Sequence, residues 1–278
     1  AVNTFVAQNL GANRPARCGL YAWQGLYLAL GFAAALIPVV AFAPHIFRGL
    51  AGLIAATGGS PTDAAELTLQ IAYFRIFVGG AVFRLLAQVL EQYFYGTHRP
   101  AIVYYVSAAT VVINVGLNYV LITGWWVFPQ LGLAGAALGS VIAWAASTAL
   151  LMWAFLSPAQ HRRFYTRWGF RPRARLARDL LRIGTPAGVH FSNELVAWSI
   201  FNVLLIGHFG HIHKAASAAA TRYMFVSFFP TIGIAIACAA LVGRYIGAGR
   251  PELARRRVHA GLALAVGYMG LCGLAFFL

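Results

Sequence analysis

Apolar runs long enough to cross a bilayer alternate with short polar turns along almost the whole chain. A membrane-spanning helix takes about 20 residues, and such runs cover 20–42, 67–95, 101–123, 132–156, 184–207, 215–242 and 258–278. Residues 1–10 read as the end of one more. Strict alternation of the strand type is absent, so the pattern predicts an all-α polytopic membrane protein. The 278 residues are 60% hydrophobic and only 10% charged, with a mean hydropathy of +0.72. Soluble domains carry about a quarter charged residues.

The polar punctuation repeats. At a constant offset of 236, Val6, Gly11, Ala12, Arg14, Pro15, Gly25, Leu26, Leu28, Ala29 and Gly31 recur as Val242, Gly247, Ala248, Arg250, Pro251, Gly261, Leu262, Leu264, Ala265 and Gly267. These are ten identities in 27 ungapped positions. Each copy has an apolar helix end, a Gly-Ala-x-Arg-Pro turn and a second apolar helix. Six expected crossings separate the copies and return the chain to the same side, so the copies are expected to run parallel. Two lobes related by an axis along the membrane normal are one architecture of secondary transporters. The expected division is an N-terminal lobe over 1–156, a cytoplasmic basic linker over 157–183 and a C-terminal lobe over 184–278.

Charge fixes the orientation. Of the 21 Lys and Arg residues, 16 lie in one alternating set of loops: Arg14, Arg17, Arg99, eight arginines between 162 and 182, and Arg244, Arg250, Arg255, Arg256 and Arg257. The opposite set carries Arg48 and Lys214, and Arg75, Arg84 and Arg222 fall within spans. Short loops rich in Lys and Arg stay in the cytoplasm, which places the turns at 11–19, 96–100, 157–183 and 243–257 there. Loop parity therefore accounts for the net charge of +15, and no nucleic-acid partner is expected. Within the linker, RARLARDLLRI from Arg173 to Ile183 suits a short helix at the headgroup level, and the basic segment reads as a solvated, lipid-facing linker, with a binding role as the alternative. Gly184-Thr185-Pro186 reads as the start of the next helix, since proline is tolerated in a first turn.

Cys18, Cys238 and Cys272 have neither disulfide nor zinc spacing. His208, His211 and His213 lack a nearby carboxylate or thiolate and read as polar loop residues. No metal or other cofactor is expected. Polar groups inside spans carry more, because a mid-bilayer charge costs about 2.5–3.5 kcal/mol on insertion scales. Glu194 lies about ten residues into the 184–207 run, and spacings of three and four put His190, Asn193 and Glu194 on one helical face. Such a face can exchange a proton or a cation: low dielectric favours the neutral carboxyl, and a bound cation restores the charged form. The alternative is a structural pair of Glu194 with a basic residue such as Arg222. Ser107, Thr110, Asn114 and Asn118 form a second stripe, able to line a cavity or to tie helices together. Arg84 and Glu91 share a face as an ion pair or gate. Gly132, Gly135, Ala136, Gly139 and Ser140 make ridges for close helix packing.

Several segments in order resemble the multidrug and toxic compound extrusion (MATE) transporters. They are TFVAQNLGANRPA, YGTHRPAIV, INVGLNYVLITG, PQLGLAGAALGSVIAW, GTPAGVHFSNEL and FFPTIGIAIACAALVGRYIGAGRPELA. The resemblance implies that the chain holds the end of helix two through helix nine of twelve. It implies antiport, in which an entering proton or sodium ion drives an amphipathic, often cationic small molecule outward through a cavity open alternately to each side. Glu194 falls where members often carry a seventh-helix Glu, and Asn114 and Asn118 fall on fifth-helix positions of an N-lobe site. Asn118 stands where some members have Asp. The expected setting is a multi-pass monomer among membrane lipids, in a bacterial inner membrane. A lipid-linked precursor flippase of the same fold would want several basic cavity residues, for which only Arg75, Arg84 and Arg222 are candidates. A membrane-embedded enzyme would want a clustered acid pair or metal-ligand set, and none is visible.

Overall fold

The computed structural model describes residues 1–56, 63–125, 129–201 and 211–277. It is helical throughout these segments: α1 (Val2–Gly11), α2 (Pro15–Ala56), α3 (Ala64–Gly79), α4 (Ala81–Gly96), α5 (Pro100–Thr123), α6 (Gly132–Phe155), α7 (Pro158–Phe164), α8 (Ala174–Ile200), α9 (His211–Gly247) and α10 (Pro251–Phe277). Six apolar stretches are long enough to span a membrane among the described residues: Pro15–Gly52, Ala64–Gly96, Pro100–Thr123, Gly132–Phe155, Ala216–Gly247 and Pro251–Phe277. The protein is a polytopic helical membrane protein.

Three element boundaries differ from the sequence expectation. The 67–95 run is two helices, parted at Gly80. A Cβ on Gly80 would overlap the Val141 side chain of α6, so the glycine lets the two helices touch where the rod is interrupted. Helix α2 continues past residue 42 to Ala56 with Pro38 and Pro44 inside it. Helix α8 starts at Ala174 and passes through Pro186, so Gly184-Thr185-Pro186 is not a helix start. The basic segment before it is itself helical, and the turn at Pro186 extends an existing helix instead of nucleating one. A proline forfeits one backbone bond and crowds the carbonyl four residues back, a defect that membrane helices accommodate. The described part of the expected 184–207 span ends at Phe201.

The chain forms two compact units, one of Ala1–Tyr21, Tyr95–His98 and Arg173–Leu278, the other of Ala22–Phe94 and Arg99–Pro172. In the second unit α5 and α6 pack along the small-residue ridge. A Cβ on Gly135 would meet the Leu121 carbonyl carbon at 2.8 Å, and one on Gly139 would overlap the Asn118 side chain. At the C-terminal ends of α4 and α6 Tyr93 meets Phe155 edge-on at 4.9 Å, and Trp23 lies 5.9 Å from the same ring. The chain after α7 is largely exposed and is tied to α2 at three backbone carbonyls. Trp23 Nε1 donates to the Thr166 carbonyl at 2.6 Å, Gln24 Nε2 donates to the Arg171 carbonyl at 3.2 Å, and the Tyr27 hydroxyl donates to the Phe170 carbonyl. One face of α2 thus satisfies backbone acceptors that would otherwise need water, and Thr166 is fully buried.

In the first unit the repeat becomes geometry. The α1 and α9 ends cross where both copies carry glycine: Gly11 approaches the backbone of Arg244, and Gly247 approaches the backbone of Gln8. Gln8 and Arg244 are themselves related by the 236-residue offset, so the crossing is reciprocal, as a local two-fold requires. Asn3 Nδ2 reaches the Ile236 carbonyl at 3.5 Å, and Gly243 faces Ala7 and Thr4. Contacts advance together along both helices, which therefore run parallel.

The turns after these helices are built alike, and a third copy occurs at Gly96–Pro100. Asn13, His98 and Gly249 take the left-handed conformation, with φ of 55°, 56° and 69°. The next amide closes each helix, Arg14 onto the Asn9 carbonyl at 2.8 Å, Arg99 onto Phe94 at 2.9 Å and Arg250 onto Tyr245 at 2.9 Å. This is the Schellman arrangement, in which a left-handed residue lets two orphan carbonyls be capped. Proline then opens the next helix at its first position, where no amide is needed.

Candidate functional site

The expected site residues fall on two helices, α8 in one unit and α5 in the other. His190, Asn193 and Glu194 lie on α8 in the first unit and are all exposed. Glu194 makes no hydrogen bond or ion pair among the described residues, and neither does Arg222 of α9. Among the described residues, Glu194 and Arg222 do not pair. Four residues further along α8, Trp198 packs edge-on against Phe201 at 5.8 Å, so the polar face ends at an aromatic one. His208 and the side chains of His211 and His213 lie outside the described residues.

In the second unit the α5 stripe is tied into α6. Asn118 Nδ2 donates to Asn114 Oδ1 at 3.2 Å, Asn114 Nδ2 to Ser140 Oγ at 3.3 Å, and Ser140 Oγ to the Ala136 carbonyl at 3.0 Å. Each donor thus finds an acceptor one step along the chain. At its head Asn118 Oδ1 is buried with no partner among the described residues. Thr110 turns back to the Val106 carbonyl at 2.8 Å, and Ser107 is exposed. An unmet amide oxygen beside a polar chain can accept from a ligand donor or help ligate a cation.

Arg84, Gln88 and Glu91 form a compact ladder on α4. The guanidinium donates to Glu91 Oε1 at 3.0 Å and to Gln88 Oε1 at 2.8 Å, so one cation serves both neighbours on the face. Glu91 is 14% exposed and Arg84 is 44% exposed.

His98 occupies the third turn, in the first unit. Its imidazole is held below the ordinary histidine value, first by burial and then by the nearby Arg244 charge. Nε2 is buried without a partner among the described residues. The Gly-x-x-Arg-Pro spacing shared with the other two turns marks this third copy in the sequence. Arg75 lines an apolar groove between α2 and α3, a setting that depends on α2 lying opposite.

Comparison with known proteins gives the family. The MatE family model matches residues 1–120 and 186–278. A probable multidrug resistance protein NorM of Rhizobium meliloti strain 1021 is 28% identical over 282 residues, covering 100% of this chain and 57% of the relative. A probable multidrug resistance protein NorM of Deinococcus radiodurans is 31% identical over 264 residues, covering 95% of this chain and 55% of the relative. The chain therefore spans little more than half the length of these curated relatives. Among solved structures, an outward-facing conformation of a multidrug resistance MATE family transporter of the MOP superfamily aligns over 99% of this chain and 58% of its own, with a TM-score of 0.81 at 18% identity. The family model matches most of the chain, and the chain belongs to the MATE family.

Proposed function

We propose that the protein is a secondary active exporter, antiporting amphipathic or cationic small molecules against protons or sodium ions by alternating access, in the inner membrane of a bacterium. The observation that carries this reading is the polar face of His190, Asn193 and Glu194 on α8, whose carboxylate has no partner among the described residues. A carboxylate that is not tied to a basic neighbour is free to exchange a proton or a cation, and intramembrane ionisable groups are functional by default. His190 and Asn193 add a titratable ring and an amide oxygen beside Glu194. The Asn118 and Asn114 chain supplies a second polar locus on another helix. The names of the NorM relatives support drugs as the class of cargo, and the parallel repeat suits two lobes that rock about a site.

The test is gradient-driven export by the whole protein in liposomes, with a fluorescent cationic dye as cargo. An imposed proton or sodium gradient should accelerate dye export at least tenfold over the ungraded control. Export indifferent to both gradients would overturn antiport.

A further inference from the structure

The second unit contains a groove that the export reading does not use. It encloses about 550 Å³ between α2, from Leu30 to Ala41, and the facing stretch from Arg75 to Val82. Every lining side chain is apolar or absent except that of Arg75. The unit has three carboxylates to offer as counter-charge, and each is engaged elsewhere. Asp63 accepts from the Ala65 amide at 3.4 Å, Glu66 from Gln70 at 3.0 Å, and Glu91 is paired with Arg84 at 3.0 Å. Arg75 has no hydrogen-bond or ion-pair partner among the described residues. A permanent cation in a span, lining a slot without a counter-charge, calls for an anion.

The topology says which anion. Loop charges put the start of α2 in the cytoplasm, so α2 runs outward and α3 runs inward. Arg75 is then the outermost lining residue on its side, and Leu30 the innermost on the other. The slot between Leu30 and Ala41 is about 16 Å long at 1.5 Å per residue. Arg75 lies five residues, roughly 8 Å, outside the midpoint of the span Ala64–Gly96. A stem extended toward the N-terminal side of its helix would carry the guanidinium outward to the polar edge, about 15 Å from the midplane. We infer that the groove holds an anionic lipid of the outer leaflet, with its phosphodiester on the Arg75 guanidinium and one acyl chain laid inward along the slot. The planar fork suits bidentate pairing with phosphate, and Ala33, Ala34, Ala41 and Gly79 leave the width a methylene chain needs.

The test is native mass spectrometry of the whole protein, released from neutral detergent after equilibration with equal amounts of phosphatidylglycerol and phosphatidylcholine of the same chain length. The wild type should retain phosphatidylglycerol at least fivefold over phosphatidylcholine. Arg75→Gln should bring retention to the phosphatidylcholine level, and Arg75→Lys should keep part of the preference. Ala33→Phe, which fills the slot and keeps the charge, should also lose the lipid, and it carries the test if Arg75→Gln does not fold. Equal retention of the two lipids by the wild type, or undiminished phosphatidylglycerol in Arg75→Gln or Ala33→Phe, would overturn the assignment. Loss of export of an anionic dye in Arg75→Gln, with phosphatidylglycerol retention intact, would also overturn it and make the groove a cargo site. Lipid retention is read without transport, so this result stands apart from that of the antiport assay.

Discussion

Glu91 and Glu194 are both carboxylates on helices of apolar character, and the structure treats them oppositely. Glu91 is closed into a ladder with Arg84 and Gln88, and other polar groups of its unit are tied in too. Asn114 reaches Ser140, and Thr148 donates to the Phe83 carbonyl at 2.7 Å. Glu194 has no such neighbour among the described residues, and His190 and Asn193 share its exposed face. Polar groups in membrane helices act either as glue or as working groups. The difference teaches that residue type alone does not fix pairing: Glu91 has a guanidinium within reach on its own helix, and Glu194 has none among the described residues.

The largest effect should come from opening the closed unit. Gly135→Leu would drive a side chain into the Leu121 backbone, an overpacking that costs about 3 kcal/mol or more against a backbone that cannot yield. Loss of folded protein by size-exclusion chromatography is the readout. Gly188→Leu on α8, where nothing lies within 4 Å, should leave folding near wild type. Next, Asn114→Leu removes the bond to Ser140 and the one from Asn118 and should cost about 1–2 kcal/mol, seen as a small drop in Tm in detergent with assembly preserved. A smaller loss, well under 1 kcal/mol, is expected for Glu91→Gln, because the Arg84 partner is 44% exposed and such pairs are screened.

The smallest effect concerns pH. His98 has a depressed value in the folded chain, so the unfolded state binds more protons in the window below the ordinary histidine value of 6.5. Stability should be full above that value and fall as pH drops through the window toward the folded value. His98→Asn copies the first turn of the repeat, where Asn13 already takes φ of 55°, and should flatten the Tm difference between pH 7.5 and pH 5. An unchanged slope would assign the pH dependence to another group.

Much of the fold was legible because hydropathy, repeats and loop charge are one-dimensional signals. The α1 and α9 crossing follows from Gly11 and Gly247, and the ridge on α6 does its packing through Gly135 and Gly139. The break at Gly80 was hidden, since it depends on Val141 lying opposite, 61 positions away in sequence. The continuity of α8 was hidden because Pro186 looks like a start signal when the preceding basic turns are read as a separate helix. The strap from Thr166 to Arg171 needed Trp23, Gln24 and Tyr27, whose donors show no pattern along the chain. At the candidate sites, spacing named His190, Asn193, Glu194, Asn114 and Asn118. It could not say which of these would find partners, because that depends on neighbouring helices.

The central claim is that the open carboxylate couples ions and the closed one holds structure. It is tested most directly by measuring gradient-driven export for Glu194→Gln and Glu91→Gln of the whole protein, reconstituted at matched density. The account predicts that Glu194→Gln loses at least tenfold in export rate while Glu91→Gln stays within threefold of wild type. Wild-type export by Glu194→Gln, or equal losses in the two variants, would contradict it.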